Sequence, residues 1–143
     1  MRKKLEPGIF IEKRIKTTPE MAASRFHSSS PQVLSSPTLI TFMQTTCADV
    51  LAPFLEEDEM SVSVRIEMSH LSSTPIGMNI KIRAEVSEVE GRNVNFKVEA
   101  FDEIERIAKA SNEMYIIDKE RFAKGISRKK KLDKKKKSRE GKQ

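Results

Sequence analysis

The chain has 143 residues, 37% hydrophobic and 34% charged, which is enough for one domain with its own core and offers no apolar run of membrane-spanning length. Its net charge is +6, but residues 124–143 hold 11 Lys/Arg against 2 Asp/Glu, leaving residues 1–123 with 16 basic and 19 acidic side chains. The basicity is that of a tail, which argues against the body as a nucleic-acid-binding surface. The one cysteine, Cys47, excludes an intramolecular disulfide and fits a reducing, cytoplasmic setting.

The first ten residues, MRKKLEPGIF, start basic, but Glu6, Pro7 and Gly8 interrupt any apolar segment, so no secretory leader is expected. Residues 9–16 read as a short strand after the Pro7-Gly8 turn. Residues 17–35 are rich in Thr, Ser and Pro and read as a loop over the body, with His27 exposed among serines. Ser36-Pro37 is a helix-start signal, with Ser36 as N-cap and Pro37 at the first helical position. Leu39, Met43, Cys47, Val50 and Leu51 then form a helical stripe over residues 37–52, ended by Pro53 and an acidic run. With no second long helix before the basic tail, that stripe must pack on a sheet.

Four strands are expected next. In the first, residues 60–70, Val62, Val64, Ile66, Met68 and His70 alternate onto one face. A turn-rich segment, Ser72 to Gly77, separates it from a second strand that begins at Met78. Glu90-Gly91-Arg92 is a hairpin turn. The third strand carries Val94, Phe96, Val98 and Ala100 on one face, and the fourth runs over residues 104–117. Short connections predict antiparallel neighbours throughout. The class is α+β, an antiparallel sheet wrapped around one helix.

The helix opening SSPTLITFMQ, the segment SHLSSTPIGM, Val89-Glu90-Gly91-Arg92 and Asp102-Glu103-Ile104, in this order and spacing, resemble a hotdog-fold acyl-CoA thioesterase of the fluoroacetyl-CoA thioesterase-like branch. The resemblance covers roughly residues 8–122. It implies an obligate homodimer, with two sheets joined edge to edge and acyl-CoA bound at the subunit interface; the assembly expected is that dimer or a dimer of dimers, with no cofactor. The catalytic set it implies falls on Ser36, Gln44 and His70, with Ser63, Thr74, Pro75 and Gly77 binding substrate. The chain departs from the branch at Gln44, where a glutamate is usual, and at Ser63, where a glycine is frequent. It departs again at Ser111-Asn112-Glu113-Met114, where the branch has Thr-His-Glu-Arg.

The chemistry needs a polarised carbonyl, a nucleophile and a base. His70 is the base suited to neutral pH, Ser36 could attack or hold water, and N–H groups at the helix start could stabilise an oxyanion. Gln44 can neither take a proton nor attack, but its amide can orient water. Cys47 on the apolar stripe reads as core, and Asp49, Glu67 and Glu113 are poor replacement carboxylates by position. No zinc-type ligand spacing and no phosphate-binding Gly-rich loop are present. Two other readings stay open from the residues: a weakened hotdog protein that binds acyl-CoA or a partner, and a nucleic-acid-associated protein acting through its tail. The organisation expected is a domain over residues 1–123 and a basic tail over 124–143, disordered or a frayed helical extension. Its densest stretch, from Arg128 to Lys137, is placed to touch nucleic acid or an anionic surface weakly.

Overall fold

The computed structural model describes residues 4–141; the first three and last two residues, on which parts of the leader and tail readings fall, lie outside the described residues. The elements are β1 (Phe10–Lys16), α1 (Ser36–Leu51), β2 (Glu59–His70), β3 (Asn79–Glu90), β4 (Asn93–Phe101), β5 (Arg106–Asp118) and α2 (Lys119–Gly141), with short 3-10 turns between some of them. The five strands form one antiparallel sheet in the order β1-β3-β4-β5-β2.

Two hairpins obey the short-connection rule. Gly91 takes the positive φ of +61° that turns β3 into β4. The connection from β2 to β3 does not obey it: these strands are not neighbours, and β2 pairs with β5 at the far edge. Three inter-strand spacings are about 14 Å, within reach of the eight residues between the strands when extended. The crossing segment is stitched down along its length. Leu71 and Ser72 donate to Ile107 O, Leu34 donates to Thr74 O, and Thr17 donates to Met78 O. The loop over residues 17–35 thus pairs with the crossover and closes that end of the sheet.

The stripe on α1 packs as periodicity requires. Leu39, Met43, Cys47 and Leu51 are fully buried against Ile82, Ala84, Val86, Phe96 and Val98 of the sheet face. Burial of one such side chain contributes about 1.5–3 kcal/mol. The sheet curls around a single helix because α1 is the one element that brings an apolar face to it: α2 buries nothing.

The basic stretch belongs to α2. It is helical from Lys119, with Asp118 Oδ1 accepting from Arg121 N (3.1 Å) and Asp58 O from Lys119 N (2.9 Å). Lys, Arg, Leu and Ala are good helix formers without any core. Glu120–Lys124 and Asp133–Lys137 are ion pairs at i,i+4 with the acid first, the better orientation. No helix among the described residues is long and apolar enough to cross a membrane.

Candidate active site

The start of α1 sets the first part of the site. Ser35, not Ser36, is the N-cap: it is extended (φ −75°, ψ 148°) and its Oγ accepts from Thr38 N at 3.2 Å. Pro37 therefore sits one position further in, which costs nothing because that N–H would also lack a partner. Ser36, relieved of capping, is the first helical residue, and its Oγ lies 2.7 Å from Nδ1 of His70. The cap also thins the set of oxyanion donors. Pro37 has no N–H, and Thr38 N and Leu39 N are spent on Ser35, so the Ser36 N–H is the helix-start donor left, aided by the dipole.

His70 reaches this point through an irregularity that the alternation did not show. The β2–β5 register shifts between Ser63 and Arg65, a bulge that makes Val64 the extra residue. Only Ile66, Met68 and His70 keep the inward face; Val64 is exposed, and Ser63 turns inward instead. Burial pushes the His70 pKa below its ordinary 6.5, and the nearby Ser72 backbone offsets this in part. Nε2 itself is buried without a hydrogen-bond partner. A neutral imidazole is thus held by one nitrogen and unpaired at the other.

A second polar group forms two turns along α1. Gln44 Nε2 donates to Ser63 Oγ (3.0 Å), and Ser63 Oγ donates to Asn112 Oδ1 (2.6 Å). Asn112 is 1% exposed, and its Nδ2 has no oxygen or nitrogen partner. Asn112 is not among the residues expected in the site. The available signal was its place in the inward row of β5, where it stands as the one polar side chain among Ala108, Ala110, Met114 and Ile116. Ser36 and Gln44 are eight residues apart, about 12 Å along the helix axis. The described hydrogen bonds join Ser36 to His70 and Gln44 to Ser63, but leave the two groups separate within one chain.

Thr74, Pro75 and Gly77 contact neither group in the described bonds; they brace the crossover behind His70. Buried Thr74 donates to Asp102 Oδ2 (3.0 Å), and Pro75 bridges to Val33. Gly77, at φ +105°, donates its N–H to Thr17 Oγ1 (2.9 Å). Burial of Asp102 would raise its pKa, but the N–H groups of Glu105 and Ile104 and the Thr74 hydroxyl outweigh it and hold the carboxylate low.

Other candidates fall away on geometry. His27 is exposed beside Ser29. Asp49 pairs with Lys13, Glu67 with Arg65, and Glu113 accepts from Asn93, all away from His70. Burial drives the Cys47 thiol up to about 12, opposed by a smaller pull from Asn112, so it is no thiolate nucleophile. Among the described residues no group of three His, Cys, Asp or Glu could hold a metal ion.

A family model described as fluoroacetyl-CoA-specific thioesterase matches residues 17–120. The chain belongs to the fluoroacetyl-CoA-specific thioesterase family. The fluoroacetyl-CoA thioesterase of Streptantibioticus cattleyicolor is 32% identical over 92 residues, 64% of this chain and 66% of that protein, a little under two thirds of the relative's length. A solved thioesterase superfamily member from Thermus thermophilus shares 27% identity with a TM-score of 0.85, covering 92% of this chain and 97% of that one. A threonine-to-serine variant of the fluoroacetyl-CoA thioesterase, solved with acetyl-CoA, shares 26% identity with a TM-score of 0.81, over 87% and 98% of the two chains. The hotdog fold expected from the resemblance is therefore the fold of this chain. Nearly all of α2 lies beyond the family match.

Proposed function

We propose that the protein is an acyl-CoA thioesterase whose site is completed by a second copy of the chain. The observation that carries this is the Ser36 Oγ–His70 Nδ1 contact at 2.7 Å, set at a helix N-terminus with the other imidazole nitrogen buried and unpaired. That is the distance of a nucleophile–base pair. With the hydroxyl donating to Nδ1, Ser36 attacks the thioester carbonyl as His70 takes its proton. The oxyanion forms against the Ser36 N–H and the helix dipole. His70 then returns the proton to the departing CoA thiolate, and water releases the acyl group from Ser36. Nε2 carries the hydrogen in this tautomer and is buried within the subunit, which leaves Nδ1 as the nitrogen that accepts.

The dimer is supported by the edge position of β2. Its free side is unpaired among the described strands, and edges of this length need covering. Two copies pairing antiparallel along β2 about a two-fold axis give an isologous interface. An axis near Ile66 and Glu67 would set the partner's Ser63 opposite His70, bringing the Gln44 group of one subunit to the Ser36–His70 pair of the other. Gln44 would then orient the water of the second step. Substrate contacts by Thr74, Pro75 and Gly77 are proposed only through the crossover they brace, and a dimer of dimers would leave this arrangement intact. A lone buried thiol and a CoA-ester substrate suit a cytoplasmic location.

The test is hydrolysis of fluoroacetyl-, acetyl- and longer acyl-CoA esters, followed by thiol release, beside Ser36→Ala and His70→Ala. Loss of turnover in both variants with ester binding retained is expected. Ester binding by wild type without turnover would instead identify an acyl-CoA-binding protein. The tail carries a separate proposal. α2, which has no buried residue, holds twelve Lys/Arg against three Asp/Glu, and weak, salt-sensitive contact with nucleic acid or an anionic surface through residues 128–137 follows from its charge. Absence of RNA or DNA binding at low salt would end the nucleic-acid half, and absence of binding to anionic vesicles the other.

A further inference from the structure

The Gln44–Ser63–Asn112 chain has a direction. Ser63 has one hydroxyl hydrogen, and Asn112 Oδ1 accepts it at 2.6 Å. Ser63 can then only accept from Gln44, and the atom it meets at 3.0 Å is Nε2, a donor. That fixes Nε2 on the Ser63 side and leaves the carbonyl oxygen as the one acceptor of the Gln44 amide, with its second N–H beside it. A carbonyl oxygen accepts a hydrogen bond from water or from a substrate donor, and it repels an oxyanion. Which end of Gln44 is available therefore decides whether it can hold a nucleophilic water.

Asn112 sets that choice from inside the core. It is 1% exposed, and its buried Nδ2 meets no oxygen or nitrogen acceptor, only the weakly accepting Cys47 sulfur, a net cost to folding. Packing alone does not account for an amide there: its neighbours in the inward row are Ala110 and Met114. What it contributes is the acceptor that pins the Ser63 hydroxyl. We infer that Asn112 is a positioning residue, which acts through Ser63 to fix the Gln44 carboxamide with its carbonyl oxygen toward the reacting water. This deepens the thioesterase reading and rests on it for the kinetic part of the test.

The first measurement needs no substrate. Side-chain amide resonances of Gln44 and Asn112 are assigned in the full-length protein, and Ser63→Ala is introduced. The inference expects the Gln44 NH2 to shift and to exchange faster with solvent, and the Asn112 NH2 to stay in place. The reverse, with Asn112 moving and Gln44 not, means the chain runs the other way and overturns the proposal. The second measurement is kinetic. Asn112→Leu is expected to lower kcat about fivefold to tenfold, the value of one hydrogen bond, with KM within about twofold and the melting temperature unchanged or raised. The Ser63→Ala/Asn112→Leu double variant should be no slower than the slower single variant. Unchanged kcat in Asn112→Leu, or additive losses that track lost stability, overturns the inference. No turnover by wild type would refute the thioesterase reading, and the resonance shifts would still decide the direction of the chain.

Discussion

Two polar groups lie along one face of α1, and they are built on opposite plans. At the helix start, Ser36 and His70 meet at 2.7 Å with an imidazole nitrogen left over. Two turns on, Gln44, Ser63 and Asn112 form a closed run of amide and hydroxyl groups with no ionisable member. The first group can move a proton and the second cannot. In the pocket proposed from both, one histidine would do all the acid–base work and the neutral run would hold something still. The difference separates chemistry from positioning, and substitutions in the two groups should differ in size and in kind.

The largest effect is expected from His70→Ala, a loss of about 10²–10⁴-fold in kcat, the usual share of general acid–base catalysis, with little change in stability. Ser36→Ala should fall in the lower part of that range and abolish any acyl-enzyme burst; a burst that survives would transfer the attack to water. Gln44→Ala should cost about tenfold, the worth of a single orienting hydrogen bond, read as kcat in steady-state assays. A Gln44→Ala loss as large as that of His70→Ala would erase the distinction between the groups.

The pH dependence sharpens the same contrast. Only neutral His70 accepts the Ser36 proton, and burial holds its pKa below 6.5. The rate should rise with pH through that lowered value and then stay flat past neutrality, with one titration and no second limb from position 44. Stability follows the same group. Between 6.5 and the lower folded-state pKa the unfolded chain binds more protons than the native one, so stability rises with pH there. The contribution is present above 6.5 and is lost as pH falls through that window. Thermal melts across the acid range should show a loss on acidification that His70→Gln reduces.

The fold was legible because its signals are local and repeated. The α1 stripe, the alternation in β3 and β4 and the Gly91 turn each repeat one constraint several times. The β2–β3 crossover was not legible, since nothing in residues 71–78 states which edge the chain has come from. The site was half legible. Ser36, Gln44, Ser63 and His70 stand out in the sequence and meet as two hydrogen-bonded pairs, Ser36–His70 and Gln44–Ser63, but the capping task expected of Ser36 is performed by Ser35, one residue away with the same side chain. Strict alternation would turn Ser63 outward, but a bulge at Val64 reverses it, and a bulge leaves no mark in residue types alone. Asn112 was missed because a lone amide in an apolar row says nothing until its partner is known. Gln44, Ser63 and Asn112 are three positions where the chain departs from the pattern it resembles, and they touch one another. Departures that look unrelated along the sequence are one hydrogen-bonded unit in space.

The smallest effect should come from the region that touches neither group. α2 leaves the sheet beside Glu59, at the end of β2 away from His70, and buries no residue. Its helical state depends on propensity and on two ion pairs worth a few tenths of a kcal/mol each. Removing residues 127–143 should therefore leave the melting temperature and the hydrolysis of a short acyl-pantetheine ester within about twofold of wild type. The full CoA ester tests the remaining possibility, because its phosphates can feel the lysines across a subunit boundary. If KM rises for the CoA ester alone, and the rise disappears at high salt, α2 serves the site of the neighbouring copy by charge. If both esters are unaffected while polyanion binding is lost, the helix acts apart from catalysis.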